Sequence, residues 1–256
     1  SIVIAEGSAG DTWLGFRRGG FDRIARRYGA ELFDIHDDSY YLIKIFDGDF
    51  NRFSIPISRL LVDSRALISI CRAKTHDTVI VTLSIKNVAV GGIVGVENRP
   101  KIHQGYPAIN INIAILGAAM YPDIAIVDGR IGMQGDGPVF GYEKRWGYVF
   151  SGKNPTNVDS VVAAAMGFDP RNIGYLHYLS RLGYGEIIGI EAICHELRGI
   201  KTRFMPHSTY TQQLAWRLPK EMEQDIIGSI ADILSSSNTR KICRSEGTSI
   251  YRGKNQ

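Results

Sequence analysis

Short apolar runs alternate with segments of helical period along the first 190 residues. Residues 2–5 read as a strand, 31–35 as a second, and the stretch between them as helix. Asp11 or Thr12 can cap that helix. Gly19-Gly20 predicts a break within it, and Gly29 a C-cap after Tyr28. Two β-rich runs, 40–46 and 53–57, flank Asp47-Gly48-Asp49, which is a hairpin signal. Ser58 opens a short helix to about Ser64, and 66–71 form an apolar strand. Residues 78–90 fit either strand or helix. An apolar helix is expected over 108–120, closed by Tyr121-Pro122, then a strand over 123–127. A short strand over 147–151 precedes two helices, one from Asn154-Pro155 through Met166 and one from Asp169-Pro170 through Leu182. A last strand is expected over 187–190 and an amphipathic helix over 219–235. The alternation predicts an α/β fold, with a mostly parallel sheet, helices on both faces, and the 40–57 hairpin as an antiparallel edge. Residues 1–195 form the α/β domain of this reading. Residues 196–256 form a C-terminal extension with one amphipathic helix and a basic tail (Arg240, Lys241, Arg244, Arg252, Lys254).

The most distinctive stretch is Asp128-Gly129-Arg130-Ile131-Gly132-Met133-Gln134-Gly135-Asp136-Gly137-Pro138. It follows the apolar run Ile124-Val127, so Asp128 is expected at a strand's carboxyl end, where open α/β sheets place their sites. Four glycines in nine residues can turn backbone N–H groups toward an anion. An ordinary glycine-rich loop explains the composition equally well. Gly7-Ser8-Ala9-Gly10 looks suited to phosphate but fits neither the P-loop nor the dinucleotide fingerprint.

Lys74, His76, Lys86, Asn87, Lys101, His103, Asp128, Asp136 and Asp159 fall near predicted strand ends or helix starts. Lys74 and His76, two apart on an extended segment, point the same way. The catalytic candidates are His76, His103, Lys86 and Asp128. The ligand-binding candidates are Lys74, Asn87, Lys101, Gly129, Gly135 and Gly137. Cations of this kind hold a carboxylate or phosphate, and a histidine serves as acid or base near neutral pH. His76, His103, Asp128 and Asp136 are also of the types that ligate a divalent metal. Each residue has a plainer reading. A lone histidine is more often satisfied or on the surface, Lys101 a solvated charge, Asp159 a helix-start residue and Asn157 a cap. His195 and His207 have no partner by spacing and read as structural or surface residues.

Composition narrows the classes. The chain has 256 residues, 44% hydrophobic and 22% charged, enough to bury a core. A net charge of +4 is too small to argue for nucleic-acid binding. Cys71, Cys194 and Cys243 are far apart, so no disulfide framework, zinc knuckle or self-contained iron–sulfur cluster is expected. No apolar run reaches about 18 residues, so no membrane span is expected, and a cytoplasmic setting is the default.

Several segments occur together in a telling order: Lys74-Thr75-His76, Val81 to Lys86-Asn87, Lys101 with His103-Gln104, Ile126 to Gly129, Gly132 to Pro138, and Ala165 to Pro170. With Ile4 to Ser8 and Tyr28 to Leu32, they resemble the uncharacterised family called domain of unknown function 362, over roughly residues 2–190. The resemblance implies an α/β fold in proteins often fused to, or encoded near, ferredoxin-type iron–sulfur modules. It implies no general reaction. It points to Lys74, His76, Lys86, Asn87, His103, Asp128, Gly135, Gly137 and Pro138. The chain departs from the pattern in having no ferredoxin cysteine cluster. It also lacks a leading strand ending in Lys-Pro-Asn with its helix, which would leave a sheet face or edge uncovered and open to homodimer formation. Two expectations result. One is an enzyme-like polar cleft binding a small anionic metabolite, with or without a divalent metal. The other is a non-catalytic accessory module that docks a ferredoxin-like or other iron–sulfur partner.

Overall fold

The computed structural model describes residues 1–188 and 199–240. The chain opens with β1 (Ile2–Glu6), α1 (Thr12–Gly19), α2 (Phe21–Tyr28) and β2 (Ala30–Asp34), and β1 pairs with β2 in parallel. Asp11 caps α1 by accepting from the Leu14 N–H at 2.8 Å. Gly20 and Gly29 take φ of 73° and 64° at the two helix ends, where a side chain is disfavoured. The parallel pairing places Glu6 beside Asp34, so both strands end on a carboxylate at the same side.

The hairpin forms as its turn residues dictate. β3 (Tyr40–Phe46) and β4 (Arg52–Ser58) pair antiparallel around a turn in which Asp47 accepts from the Asp49 and Asn51 N–H groups. This pair is its own two-stranded sheet, not the edge of a larger one. α3 (Arg59–Asp63) follows, capped by Ser58.

The main sheet has four strands in the order β6-β5-β7-β8. They are β5 (Ile68–His76), β6 (Ile80–Thr82), β7 (Ile124–Gln134) and β8 (Tyr142–Gly152). Only β5 and β7 run parallel; β6 and β8 are antiparallel neighbours. The expected mostly parallel sheet is therefore corrected to a mixed α/β fold with small mixed sheets. The reason is local. The strand from Ile124 does not stop at Asp128 but continues to Gln134 and folds straight back as β8, leaving no room for a crossover helix. The ambiguous 78–90 segment contains both elements, β6 and then α4 (Ser84–Gly91).

α5 (Gly105–Ala119) is apolar on every side and buried accordingly. Its buried Asn112 accepts from the Phe46 N–H and donates to the Phe46 carbonyl, closing the hairpin onto the core. α6 (Pro155–Ala165) is capped by Asn154, while Asn157 accepts from the Glu186 N–H instead of capping. The helix expected from Asp169 is a 3₁₀ turn at 170–172 followed by α7 (Gly174–Arg181). The expected strand 187–190 lies partly outside the described residues, and residues 187–188 are not in a strand. α8 (Tyr210–Gln213) and α9 (Lys220–Ser236) complete the order. Phe204, Trp216, Ile226, Ile230 and Ile233 join the same hydrophobic core as β5 and α5. Arg240, expected in a free basic tail, is instead buried. It donates to the Tyr121 carbonyl at 2.9 Å and pairs with Asp123 at 2.5 Å.

One face of the main sheet stays open among the described residues. Ile68 is exposed, Ile70 is 65% exposed, and Val149 also faces out. The expectation of helices on both faces is not met there.

Candidate functional site

Charged side chains from four elements gather where β1, β2 and β5 end and α4 begins. β5 supplies Lys74 and His76 from one strand face, as period two requires, and Asp77 from the turn beyond. α4 supplies Lys86 from its first turn. A 3₁₀ segment, Val96–Ile102, supplies Arg99, and His103 follows it at the exposed rim. Arg99 donates to the Gly7 carbonyl and His36 Nε2 lies 2.7 Å from the Ser8 carbonyl, so both tie the loop after β1 to this cluster.

Lys86 is the centre of the arrangement. It is 6% exposed and makes no hydrogen bond or ion pair among the described residues. Burial lowers its pKa to about 7; Asp77 opposes this, and Lys74 and Arg99 push the same way. Arg99 is lowered too, first by burial, and its Nε is buried without a hydrogen-bond partner. Two cationic groups from separate elements thus carry donors that the protein leaves unmatched.

His76 is 4% exposed. Its Nδ1 lies 3.2 Å from the Thr78 N and 3.0 Å from Thr78 Oγ1. Asp77 Oδ1 lies 2.8 Å from that Nδ1, yet it is buried with no hydrogen-bond partner. Burial, helped by Lys86, lowers His76 to about 4, and the His76 contact lowers Asp77 to about 2. At neutral pH the ring is neutral and the carboxylate charged. His103 is lowered first by desolvation and then by Lys86.

The turn that carries this pair is strained. Ile80, a β-branched residue, has φ of 69°. The C-terminal segment holds it there. Gln213 accepts from the Ile80 N–H and donates to the His76 carbonyl at 2.8 Å, and Thr209 donates to the Asp77 carbonyl at 2.7 Å.

Not every expected residue joins. Asp128 lies on the open sheet face, bonded to Arg130 at 2.9 Å, with Arg72 the next charge it feels. Its carboxylate turns outward because the strand continues past it. Asp136 accepts from the Ser208 N–H at 2.9 Å and lies 3.6 Å from His207, which therefore has a partner after all. Asn87 is one helical step from Lys86 and faces β5, donating to Ser69 Oγ and the Ile70 carbonyl. Lys101 is exposed and donates to Asn98. Arg99 takes the inward place expected of Lys101. The glycines serve packing. A side chain at Gly129 would meet Trp146, and one at Gly137 would meet the Thr75 carbonyl, while Gly135 has φ of 75°. The Asp159 carboxylate caps α4 from outside, accepting from the Ser84 and Ile85 N–H groups and from Ser84 Oγ. Burial raises it to about 7 against those three donors.

The four metal candidates are divided in the same way. His76 faces Asp77, His103 lies at the exposed rim, and Asp128 and Asp136 are held elsewhere. Among the described residues no group of three or more His, Cys, Asp or Glu side chains is placed to hold a metal ion. Lys86 is the cation that His76 feels, while Lys74 and Arg99 face the Glu6 carboxylate, so the cluster carries both signs. Cys71 is a buried free thiol whose pKa burial raises; Cys194 and Cys243, like His195, lie outside the described residues.

The model for the family Domain of unknown function (DUF362) matches residues 1–164, and the chain belongs to that family. No curated protein and no solved structure matches it. Among the described residues no helix is long and apolar enough to cross a membrane.

Proposed function

We propose that the cluster is an enzyme-like site for a small anionic metabolite, gripped by Lys74, Lys86 and Arg99. The carrying observation is Lys86, a buried cation with no acceptor among the described residues. An unmatched buried charge is costly, and a carboxylate or phosphate from outside supplies the missing partner. His76, neutral and locked against Asp77, and His103 at the rim are the acid–base groups of this reading. Thermal unfolding against oxalate, inorganic phosphate and chloride tests it. Oxalate or phosphate should raise Tm in the wild type, and Lys86→Met should abolish the shift while remaining folded. Equal shifts from every anion in both proteins would reject the site.

The open sheet face and the β7–β8 tip, where Phe140 is 85% exposed, favour a second reading, an accessory module that docks a protein partner. Cross-linking of Ile70→Asp and Phe140→Asp to a ferredoxin-type iron–sulfur protein checks this. Unchanged cross-linking relative to wild type would remove it.

A further inference from the structure

Resting on the anion-site reading, we propose that Lys86 is a nucleophile that forms an imine with the carbonyl of a small carbonyl-bearing acid, the 2-oxo acids being the class that fits. Three observations carry this. Lys86 Nζ belongs to a side chain that is buried and makes no hydrogen bond or ion pair among the described residues, so none of them ties up its amine. Lys74 and Arg99 are the cations it feels most, and Arg99 keeps a buried Nε without an acceptor. Lys74 and Arg99 also face the Glu6 carboxylate, and an incoming carboxylate that shares them leaves its adjoining carbonyl carbon for Lys86. Asp77, the one anion among the charges Lys86 feels, makes no ion pair with it and is turned to His76. The remaining neighbours, His76 and His103, are both shifted toward the neutral form.

The chemistry balances without a further reagent. The neutral amine adds to the carbonyl carbon, and a proton passes from nitrogen to oxygen to give a carbinolamine. The second amine hydrogen and the hydroxyl then leave as water, and a C=N bond stands where C=O was. His103, at the rim, is the group assigned to relay the proton to the departing oxygen. Free amine is required, and burial supplies it. With a pKa of about 7, Lys86 carries on the order of a thousand times more free amine at pH 7 than a surface lysine.

The experiment is reductive trapping on the full chain, with glyoxylate as probe and cyanoborohydride as the external hydride donor, read by peptide mass mapping at pH 7. The expected result is one reduced adduct concentrated on Lys86, with exposed Lys44 and Lys101 labelled far less. Trapping at Lys86 should rise as pH increases through about 7. Oxalate, which carries the charge but no ketone or aldehyde, should protect it. Lys86→Arg should lose the adduct and keep oxalate binding. Label spread over surface lysines with Lys86 untouched, while oxalate still binds wild type, would overturn the imine and leave the anion site standing. Neither adduct nor oxalate binding would overturn both. The wild-type map alone decides the matter if the variant fails to fold.

Discussion

Asp159 and Lys86 meet the same helix, α4, and both are buried charges, yet the protein treats them oppositely. Asp159 is fully buried and accepts from three donors at the helix start. Lys86, two residues along from the first of those donors, has no partner among the described residues. A buried charge that is fully satisfied is explained by the fold itself. A buried charge left unmatched costs stability with no structural return and points outside the molecule. The contrast sets a carboxylate satisfied by the fold against an amine that the described residues leave unmatched, within one helical turn.

The sharpest way to break this comparison is Asp159→Ala. It strips the Ser84 and Ile85 N–H groups of their acceptor inside the core, and should lower stability by about 3–5 kcal/mol in urea unfolding. A loss below about 1 kcal/mol would mean that the cap is not structural.

Gln213→Ala comes next. It removes the only side chain joining the Ile80 N–H to the His76 carbonyl among the described hydrogen bonds, and should cost about 1–3 kcal/mol. It should also weaken oxalate binding, since His76 and Asp77 ride on that turn. Unaltered binding would detach the C-terminal segment from the site.

Lys86→Met should move the other way and stabilise the ligand-free protein by about 1–2 kcal/mol at pH 6. The sign follows from linkage. The folded pKa, about 7, lies below the unfolded value of about 10.4, so between these the unfolded chain binds the extra proton. Wild-type stability should therefore rise with pH across that window from this residue, and Lys86→Met should remove that slope. Identical slopes would place a counter-charge on Lys86.

The smallest effect is expected at Asp128→Asn. Its partner Arg130 is mostly exposed, so the change should stay within about 0.5 kcal/mol and leave oxalate binding intact. A loss of binding would restore Asp128 to the site.

Much of the local structure was legible because its causes are local. Gly20 splits α1 from α2, Asp47-Gly48 sets the hairpin, and the periodic isoleucines around Ile226 and Ile230 set α9. Strand period and helix start decide direction for Lys74, His76 and Lys86, so the placement of these three proposed site residues was legible. Legibility failed where register decides. The apolar run Ile124–Val127 predicts a strand ending at Asp128; in the sheet the strand continues, and Gly129 makes room for Trp146. Arg99 and Lys101 are two apart on a 3₁₀ segment, and composition does not say which one faces inward. Gln213 and Thr209 act on residues more than 130 positions away, beyond the reach of any periodic signal.

The most direct test of the central claim is calorimetric titration of oxalate into wild type and Lys86→Met at pH 8, in two buffers of different ionisation enthalpy. The unmatched amine predicts binding to wild type with uptake of a proton, weakening by up to about tenfold per pH unit above pH 7, and no binding to the variant. Equal affinity in the two proteins, with no proton taken up by either, would contradict it.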